Sequence, residues 1–481
     1  MKTMKYLFLS AMLMGFGVAA NAQTGTAADV DAVKELVKNK PADFDKQLKA
    51  FTKANKKNAD NLVAIGRALY EANDYANATN FANAAFSAKK NFVPAFNLLG
   101  DIASVSEEDG GKAASYYEQA IYFDPKDPEA YRKYATVYRR VSIEGAVAKL
   151  EELREQRPDY PVDALIAHIN YISMKYSAAM EAYANVPQSQ MTPANFVEYA
   201  FSGYISKKFD KTLEIAENGL KAYPNNATLT RLALYSASEQ KAYAKAGQYA
   251  DALFNKIDKD SVKINAKDYL YYGRALDGDS LFDKAIEQYQ KGFALAEDND
   301  TKALFYENIS DAYKGLKDFP NAIKSYDDYL SVLPEADATA FAGKANLYMQ
   351  WARILQGDEQ KATFQKADEM FGELMQKYPG TEEFGNYQRA RINANLDPDM
   401  SQGLAKGYFE KLVELITAHE NLDGTDKNRL ENSYRYLMAY EITITKDHEK
   451  ALGYAKKVLE LRPEDQSITK IIETLEQALS K

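Results

Sequence analysis

The chain has few side chains of the kinds that enzymes use to bind metals or to activate nucleophiles. Its 481 residues include three histidines and no cysteine. His168, His419 and His448 are not spaced four residues apart, and no HExxH motif is present, which argues against a zinc hydrolase. His419 precedes Glu420 and could belong to a metal site, but a surface histidine near a helix end is the favoured interpretation. The sequence therefore predicts no metal centre.

Short acidic turns are the second group of residues that could bind a ligand. Turns near Asp258, Asp277 and Glu297 lie between predicted helices. A calcium loop counted from Asp277 would need glycine at its sixth position and glutamate at its twelfth, but Gly278 comes at once and Gln288 is twelfth. Aspartate is common in such turns because it caps helices. Helix caps are therefore the better prediction.

Motifs for covalent catalysis or phosphate binding are also absent from the part that follows the N-terminal signal. It has no glycine-rich phosphate loop and no GxSxG elbow. The 69 acidic residues make carboxylate pairs common by number alone, and nothing in their order places two in a desolvated cleft. The sequence predicts a protein that is not an enzyme and that needs no cofactor.

The first residues have the composition of an export signal. Lys2 and Lys5 precede an apolar run at 6–20, and Ala-Asn-Ala at 20–22 fits the small-x-small cleavage pattern. Without cysteine, the chain lacks the attachment site of a bacterial lipoprotein. We expect cleavage after Ala22 and a periplasmic or secreted protein without a membrane span. The net charge of −9, spread along the chain, argues against a nucleic-acid partner.

The stretch at 302–334 shows most clearly which helices the sequence predicts. Two short segments with apolar residues at helical spacing are joined by a turn at 315–318. The spaced residues are Tyr306, Ile309, Ser310 and Tyr313 in the first segment, and Ala322, Tyr326, Tyr329 and Pro334 in the second. Neither helix can bury its apolar stripe alone, so the unit needs neighbours on both sides.

Comparable pairs of segments recur along the chain, with a small residue such as Gly66, Gly100 or Gly273 in the first segment and often a proline after the second. This order resembles the tetratricopeptide repeat, a helix–turn–helix unit of about 34 residues. The resemblance covers about 60–465. It implies an all-α fold, a right-handed α-solenoid of about eleven such repeats closed by a C-terminal capping helix.

The predicted organisation has six segments. They are a signal peptide at 1–22, an N-terminal helical cap or degenerate repeat at 23–60, repeats 1–4 at 61–190, repeats 5–8 at 191–335, repeats 9–11 with longer insertions at 336–465, and the capping helix at 466–481. The turn-rich segment at 187–193 is predicted to form a bend or a seam between subdomains.

Arginines recur on the opening helices of the predicted repeats. The candidate partner-binding arginines are Arg67, Arg132, Arg139, Arg274, Arg391 and Arg435. In four of about eleven repeats the arginine directly follows the position that is usually small, which in the last of the four holds Tyr434. The resemblance implies that partners bind along the concave surface that opening helices line, where guanidinium groups would pair with carboxylates of a peptide. The alternative is that these arginines form ion pairs with the chain's own acidic residues.

Two functions from different classes fit these observations. The first is a non-catalytic scaffold of the bacterial envelope that binds protein or peptide partners along the concave surface. The alternative is a carbohydrate-associated binding component of an envelope uptake system, in which exposed tyrosines and Trp351 stack on sugars. The carboxylate clamp of chaperone-binding repeats is not reproduced, because its positions hold Asn97, Asp101, Arg132 and Thr136.

Overall fold

The computed structural model describes residues 27–106, 110–258 and 262–480. Every regular element within these ranges is a helix and none is a strand, which confirms the predicted all-α fold. The predicted signal peptide at 1–22 lies outside the described residues. None of the helices in the described ranges combines the length and the apolar character that crossing a membrane requires.

The chain divides into two compact units, residues 1–224 and 225–481. The helices of the first unit are α1 (Ala27–Asn39), α2 (Phe44–Ala54), α3 (Ala59–Glu71), α4 (Tyr75–Ala88), α5 (Val93–Ser106), α6 (Gly110–Phe123), α7 (Pro128–Tyr138), α8 (Ile143–Gln156), α9 (Val162–Ile172), α10 (Tyr176–Ala184), α11 (Pro193–Ile205) and α12 (Phe209–Ala222). Those of the second unit are α13 (Ala227–Glu239), α14 (Tyr243–Asp251), α15 (Ala266–Gly278), α16 (Phe282–Phe293), α17 (Asn299–Gly315), α18 (Phe319–Val332), α19 (Ala338–Ala352), α20 (Gly357–Lys377), α21 (Glu382–Leu396), α22 (Lys406–Thr417), α23 (Gly424–Tyr440), α24 (His448–Leu461) and α25 (Gln466–Leu479).

From α3 onward, each odd-numbered helix packs on the even-numbered helix that follows it, and the terminal α25 packs on α24. Many of the turns within a pair contain a residue in the left-handed conformation without using glycine. Ser280 has φ 62° and Lys317 has φ 61°. The next amide then donates back across the turn, from Leu281 N to Leu276 O over 2.8 Å. This is the Schellman arrangement, which satisfies the last carbonyl groups of a helix.

The small residues of the repeat pattern are required by close packing within the pairs. A Cβ atom on Gly273 would lie 2.2 Å from the ring of Tyr289, and one on Gly100 would lie 2.4 Å from the ring of Tyr117. Both tyrosines are buried at 0% and 2% exposure. The glycines therefore create the space that the aromatic residue of the second helix fills.

Replacing Gly273 with alanine should lower the free energy of unfolding by about 1–3 kcal/mol, because the extra methyl group overpacks the Tyr289 ring. Gly247 on α14 is the matched control, since a Cβ atom there meets nothing within 4 Å. Alanine at that position should be neutral or stabilise by up to about 1 kcal/mol through helix propensity. Urea denaturation measures both, and equal effects at the two sites would contradict the packing argument.

Several helices form where the sequence predicts them. Of the two alternatives for 187–193, a seam between subdomains is wrong and a bend stays a prediction. The first two helices and the closing helix α25 form where they were expected, and α20 is lengthened to 21 residues by the extra segment of the ninth repeat. The seam predicted at 187–193 is not where the units divide, because Met191 is buried and its carbonyl accepts a 3.0 Å hydrogen bond from the Tyr223 hydroxyl. The number of repeats and the handedness of the array stay predictions.

Candidate carboxylate-binding site

A cleft of about 390 Å³ on the second unit contains two arginines that face the same space. It is lined by Arg353, Tyr387, Arg391, Ala394, Asn395, Phe409 and Asn432. Arg353 directly follows α19, three of the lining polar and aromatic residues lie on α21, and α22 and α23 contribute one residue each. The cleft is therefore built by consecutive helix pairs and not by one local segment.

The spacing of residues on α21 explains why one face of this helix lines the cleft. Tyr387, Arg391 and Asn395 are four residues apart, so they lie along one side of the helix. Ala390 and Ile392, both at 0% exposure, are buried in the core and fix the rotation of the helix. The polar face is thereby held toward the cleft by the packing of the apolar one.

Contacts within the cleft hold the arginine of α21 in place. The Arg391 guanidinium carbon lies 5.5 Å from the centroid of the Tyr387 ring, and its Nη1 donates to Gln388 Oε1 over 3.2 Å. Asn432 Nδ2 donates to the Tyr387 hydroxyl over 3.1 Å. Cation–π contact of this kind orients a guanidinium group while leaving its outer N–H donors unused.

The charges of the two cleft arginines act on each other. In the ranges that the structure describes, neither Arg353 nor Arg391 forms an ion pair with a carboxylate. Partial burial, together with the charge of Arg391, lowers the pKa of Arg353 from its usual value. Two like charges in one cleft repel each other, so an anion bound between them relieves an unfavourable interaction and gains charge-assisted hydrogen bonds.

Three of the six predicted arginines form the internal ion pairs that the sequence left as the alternative. Arg67 Nη1 lies 3.0 Å from Asp101 Oδ2, and Arg132 Nη2 lies 2.6 Å from Glu129 Oε1. The third, Arg435, pairs with Glu431 at 3.0 Å and also with Asp465. These guanidinium groups already have carboxylate partners. Whether they also bind a partner protein stays a prediction.

The other two predicted arginines have neutral partners or none. Arg274 Nε donates to Asn308 Oδ1 over 3.2 Å, and its guanidinium carbon lies 5.4 Å from the ring centroid of Tyr271. Arg139 Nε is buried and makes no hydrogen bond, and burial followed by the charge of Arg140 lowers its pKa. Neither lies in the cleft. Of the six predicted residues, Arg391 is the one that lines this cleft together with a second arginine, whereas Arg139 lies beside its sequence neighbour Arg140.

Asp101 is the central residue of an internal network in the first unit. It accepts hydrogen bonds from Arg67 Nη1 at 3.0 Å, from Lys133 Nζ at 2.6 Å and from the Tyr117 hydroxyl at 2.8 Å. These donors come from α3, α7 and α6. The positions that a carboxylate clamp would use are thus occupied by contacts within the chain, and Asn97 likewise donates to Asp127 over 3.0 Å.

A histidine relay lies next to the cleft on the second unit. His419 Nδ1 is 2.9 Å from Asp426 Oδ2, and its Nε2 is 2.7 Å from Glu383 Oε1. The other oxygen of Glu383 contacts Arg429 at 3.4 Å. The ligand atoms of the histidine and the two carboxylates lie within 4.8 Å of one another, so this set could hold a metal ion. Glu420, the neighbour that the sequence suggested, is not part of it.

The two carboxylates should keep His419 protonated at higher pH than an ordinary histidine. Hydrogen bonds to Asp426 and Glu383 raise its pKa above the usual 6.5. Because the folded-state pKa is the higher one, the stabilisation is complete below about pH 6.5 and is lost as pH rises through the raised value. NMR titration of the imidazole signals measures this pKa, which Asp426→Asn should return toward 6.5. An unchanged pKa in that variant would contradict the effect of the Asp426 hydrogen bond on His419.

Trp351, which the carbohydrate alternative needs as an exposed platform, takes part in packing. Its ring centroid lies 6.3 Å from that of Tyr348, and the indole packs against the buried cluster formed by α19 and α20. One exposed aromatic side chain is Tyr122, at 80% exposure, in the first unit. The two residues lie in different units.

The sequence did not identify most of the cleft. Arg353 follows α19 in the lengthened ninth repeat and occupies no repeat position, and Asn432 belongs to an ordinary polar face of α23. The one signal available was the four-residue spacing of Tyr387 and Arg391, which places an aromatic ring beside an arginine on a helix face. Arg353 and Arg391 line the same cleft because of packing between helix pairs, and a local sequence pattern does not predict such packing.

The chain was compared with protein families, with curated proteins and with solved structures. No protein-family model matches the sequence, and no curated protein matches it. Among solved structures, the chain is similar to the C-terminal part of a TPR repeat-containing protein from Cytophaga hutchinsonii, with 26% identity, a TM-score of 0.47 and coverage of 57% of this chain and 99% of that one. It is also similar to a tetratricopeptide repeat protein from Parabacteroides merdae, with 14% identity, a TM-score of 0.33 and coverage of 53% and 98%. Yeast Tom70 matches with 15% identity, a TM-score of 0.32 and coverage of 89% of each chain.

The chain belongs to the class of all-α repeat proteins. Its helix pairs, with the glycine of the first helix packed on the tyrosine of the second in both compact units, are those expected from the resemblance to the tetratricopeptide repeat. The resemblance predicted from the sequence is thereby confirmed. The class describes the architecture, and the function has to be argued from the cleft.

Proposed function

We propose that the chain is a non-catalytic scaffold of the bacterial envelope that binds a carboxylate group of a protein or peptide partner between Arg353 and Arg391. One observation carries this proposal: two guanidinium groups line one cleft, and neither pairs with a carboxylate in the ranges that the structure describes. Arg67, Arg132 and Arg435 do form such pairs elsewhere. The cleft arginines therefore remain available to an external anion.

The other groups of the cleft suit a carboxylate carried by a peptide. A guanidinium group donates two parallel N–H bonds to the two oxygens of a carboxylate, which gives direction as well as affinity. The side-chain amides of Asn395 and Asn432 add donors at the rim. Phe409, at 5% exposure, supplies an apolar wall against which the carbon atoms of an aspartate or glutamate side chain can pack.

The location and the non-catalytic character rest on the sequence. The export signal at 1–22 supports the envelope, and the absence of a catalytic motif supports a binding role. Repeat arrays expose long continuous surfaces along which a peptide can extend, which suits a scaffold. The carbohydrate alternative lacks a comparable feature, because Trp351 contributes to packing.

Selection of peptides from a random library on the immobilised mature chain tests the proposal. Peptides that contain aspartate, glutamate or a free C-terminus at a fixed position should be enriched. The Arg353→Gln/Arg391→Gln double variant, which removes both charges with little change in size, should lose that enrichment while keeping its helical circular-dichroism spectrum. Enrichment that is unchanged in the double variant, or that ignores acidic groups, would refute carboxylate binding at this cleft.

A further inference from the structure

A groove of about 250 Å³ on the second unit is lined by three consecutive helices, α16, α17 and α18. It shares no lining residue with the Arg353–Arg391 cleft. Pockets for drug-sized ligands measure roughly 300–1,000 Å³, so a groove of this size suits a smaller molecule. Six of its lining residues are Phe293 from α16, Tyr306 and Tyr313 from α17, and Lys324, Ser325 and Asp328 from α18.

Ser325 is a buried residue whose hydroxyl group has no partner in the described part of the chain. It is at 8% exposure and lines the groove, and its Oγ atom is not fully enclosed, so a ligand in the groove can reach it. Other buried hydroxyl groups on these helices donate to a carbonyl group one turn earlier, as Ser202 does to Glu198 O over 2.7 Å and Thr212 to Lys208 O over 2.9 Å. A buried polar group without a partner is costly and calls for an explanation.

Two other grooves of the chain are built in the same way, each by a helix pair and the last helix of the preceding pair. On α12, α18 and α20 the lining residues share one spacing, in which the others follow the first by three, four and seven positions. The first residues of the three sets are Lys211, Asn321 and Lys366. The position of Ser325 is held by Ile215 on α12 and by Met370 on α20. An apolar residue therefore suits the packing at this position, and the serine is not required by the fold.

Lys324 and Asp328 carry opposite charges that the protein does not neutralise. Among the residues that the structure describes, neither side chain forms an ion pair. They are four residues apart on one side of α18, and a lysine that precedes its acidic partner is the less favourable order on a helix. The corresponding groove on α12 contains a closed pair instead, since Lys211 Nζ lies 2.8 Å from Glu214 Oε2. The α18 groove thus offers one positive and one negative group to a ligand.

The remaining wall of the groove is aromatic. The ring centroids of Phe293 and Tyr306 are 4.8 Å apart with an angle of 52° between the ring planes, and Tyr313 lines the same groove. All three side chains are partly exposed. They form a surface against which an apolar or aromatic group of a ligand can pack beside the charged residues of α18.

We propose that this groove binds a free α-amino acid with an aromatic or large apolar side chain. Lys324 pairs with its carboxylate, Asp328 pairs with its ammonium group, and the Ser325 hydroxyl donates to the carboxylate. The side chain of the ligand packs against Phe293 and Tyr306. A neutral ligand would leave both protein charges without partners, whereas an amino acid carries the two opposite charges on neighbouring atoms. This site is additional to the carboxylate-binding cleft and does not depend on it.

Three probes that differ in their charged groups test this site on the mature chain. Phenylalanine carries both charges, phenethylamine lacks the carboxylate, and 3-phenylpropionate lacks the ammonium group. Calorimetric titration should show phenylalanine binding at least about 10-fold tighter than either of the other two. Equal binding of all three probes would overturn the proposal. So would binding of glucose without a preference for phenylalanine, because it would identify a saccharide site.

Two charge variants assign the groups of the ligand to residues of α18. Lys324→Gln should make phenylalanine bind no better than phenethylamine, because the carboxylate then has no cation to pair with. Asp328→Asn should make it bind no better than 3-phenylpropionate. The matched control is Lys361→Gln, an exposed lysine of the second unit outside the groove, which should bind phenylalanine as the unmodified chain does. A preference for phenylalanine that survives both groove variants would contradict the assignment.

Variants of the serine distinguish a binding role from a structural one. Ser325→Ala should weaken phenylalanine binding several-fold, and Ser325→Ile should abolish it by filling the groove. Neither should lower the melting temperature, because the equivalent position of α12 holds a buried isoleucine, Ile215. The Arg353→Gln/Arg391→Gln protein should bind phenylalanine normally, so failure of the cleft and failure of this groove are observed separately. Phenylalanine binding retained by a folded Ser325→Ile protein would overturn the proposal.

Discussion

Replacing Asp268 with alanine is expected to lower the free energy of unfolding of the second unit by about 3–5 kcal/mol. Asp268 is at 0% exposure and accepts hydrogen bonds from Arg231 Nε at 2.6 Å, from Arg231 Nη2 at 2.8 Å and from the Tyr235 hydroxyl at 2.7 Å. Its removal takes away the carboxylate that accepts from a largely buried guanidinium group and from a buried hydroxyl between α13 and α15. A buried charge without its partner is among the most destabilising changes that a substitution causes.

Chemical denaturation followed by far-UV circular dichroism measures this effect. Glu473 on α25 is exposed and serves as the control, and its replacement by alanine should change stability by no more than about 0.5 kcal/mol. The Asp268→Leu/Arg231→Met double variant should be more stable than Asp268→Ala, because it removes both members of the pair. A loss below about 1 kcal/mol in Asp268→Ala would show that the pair is not a main support of these helices.

The second large effect is expected at the cleft. Arg353→Glu/Arg391→Glu should weaken binding of an acidic partner by about 100-fold or more, because two attractive charges become repulsive ones at close range. Arg391→Lys should lose about 10-fold even though the charge is kept, since an ammonium group cannot make the two parallel bonds of a guanidinium. Binding to the unmodified chain should weaken as salt concentration rises.

A matched control distinguishes the cleft from the overall charge of the protein. Lys361 and Lys470 are exposed residues of the second unit that do not line the cleft, and changing both to glutamate alters the net charge by the same amount. This Lys361→Glu/Lys470→Glu protein should bind acidic peptides nearly as the unmodified chain does. Calorimetric titration with one selected acidic peptide compares the variants. Equal losses in both double variants would point to long-range charge and not to the cleft.

The helical architecture could be predicted from the sequence because its determinants are local. The spacing of small and aromatic residues, such as Gly273 and Tyr289, reports a helix pair directly, since only a residue without a side chain leaves room for the ring. The division of the chain into two units after Pro224 was harder to predict from the sequence. The proline-rich segment at 187–193 looked like a seam, whereas its Met191 is buried by contacts that the sequence does not show.

Two of the internal ion pairs correspond to a regular spacing of opposite charges in the sequence. Arg67 and Asp101 are 34 residues apart, the length of one repeat, and Arg435 and Asp465 are 30 apart. Residues separated by one repeat lie on neighbouring helices of the same kind, so opposite charges at that interval are expected to meet. Applying this period would have separated Arg67 and Arg435 from Arg391, but not Arg132, whose partner Glu129 is three residues away.

The two proposed binding sites and the burial of one acidic turn could not be derived from the sequence alone. Arg353 reaches the cleft only because the lengthened α19–α20 pair packs against α21, and its position follows no repeat. Asp277 resembled an ordinary capping residue in a turn, whereas its Oδ1 is buried and makes no hydrogen bond. Burial and missing partners are properties of the packed structure.

Affinity capture from the native envelope, quantified by mass spectrometry, tests the central claim most directly. The bait is the mature chain, compared with Arg353→Glu/Arg391→Glu and with the Lys361→Glu/Lys470→Glu control. A partner whose recovery falls by about 100-fold with the first variant and is retained with the control is the predicted result. Partners recovered equally by all three proteins would contradict a carboxylate-binding role for the Arg353–Arg391 cleft.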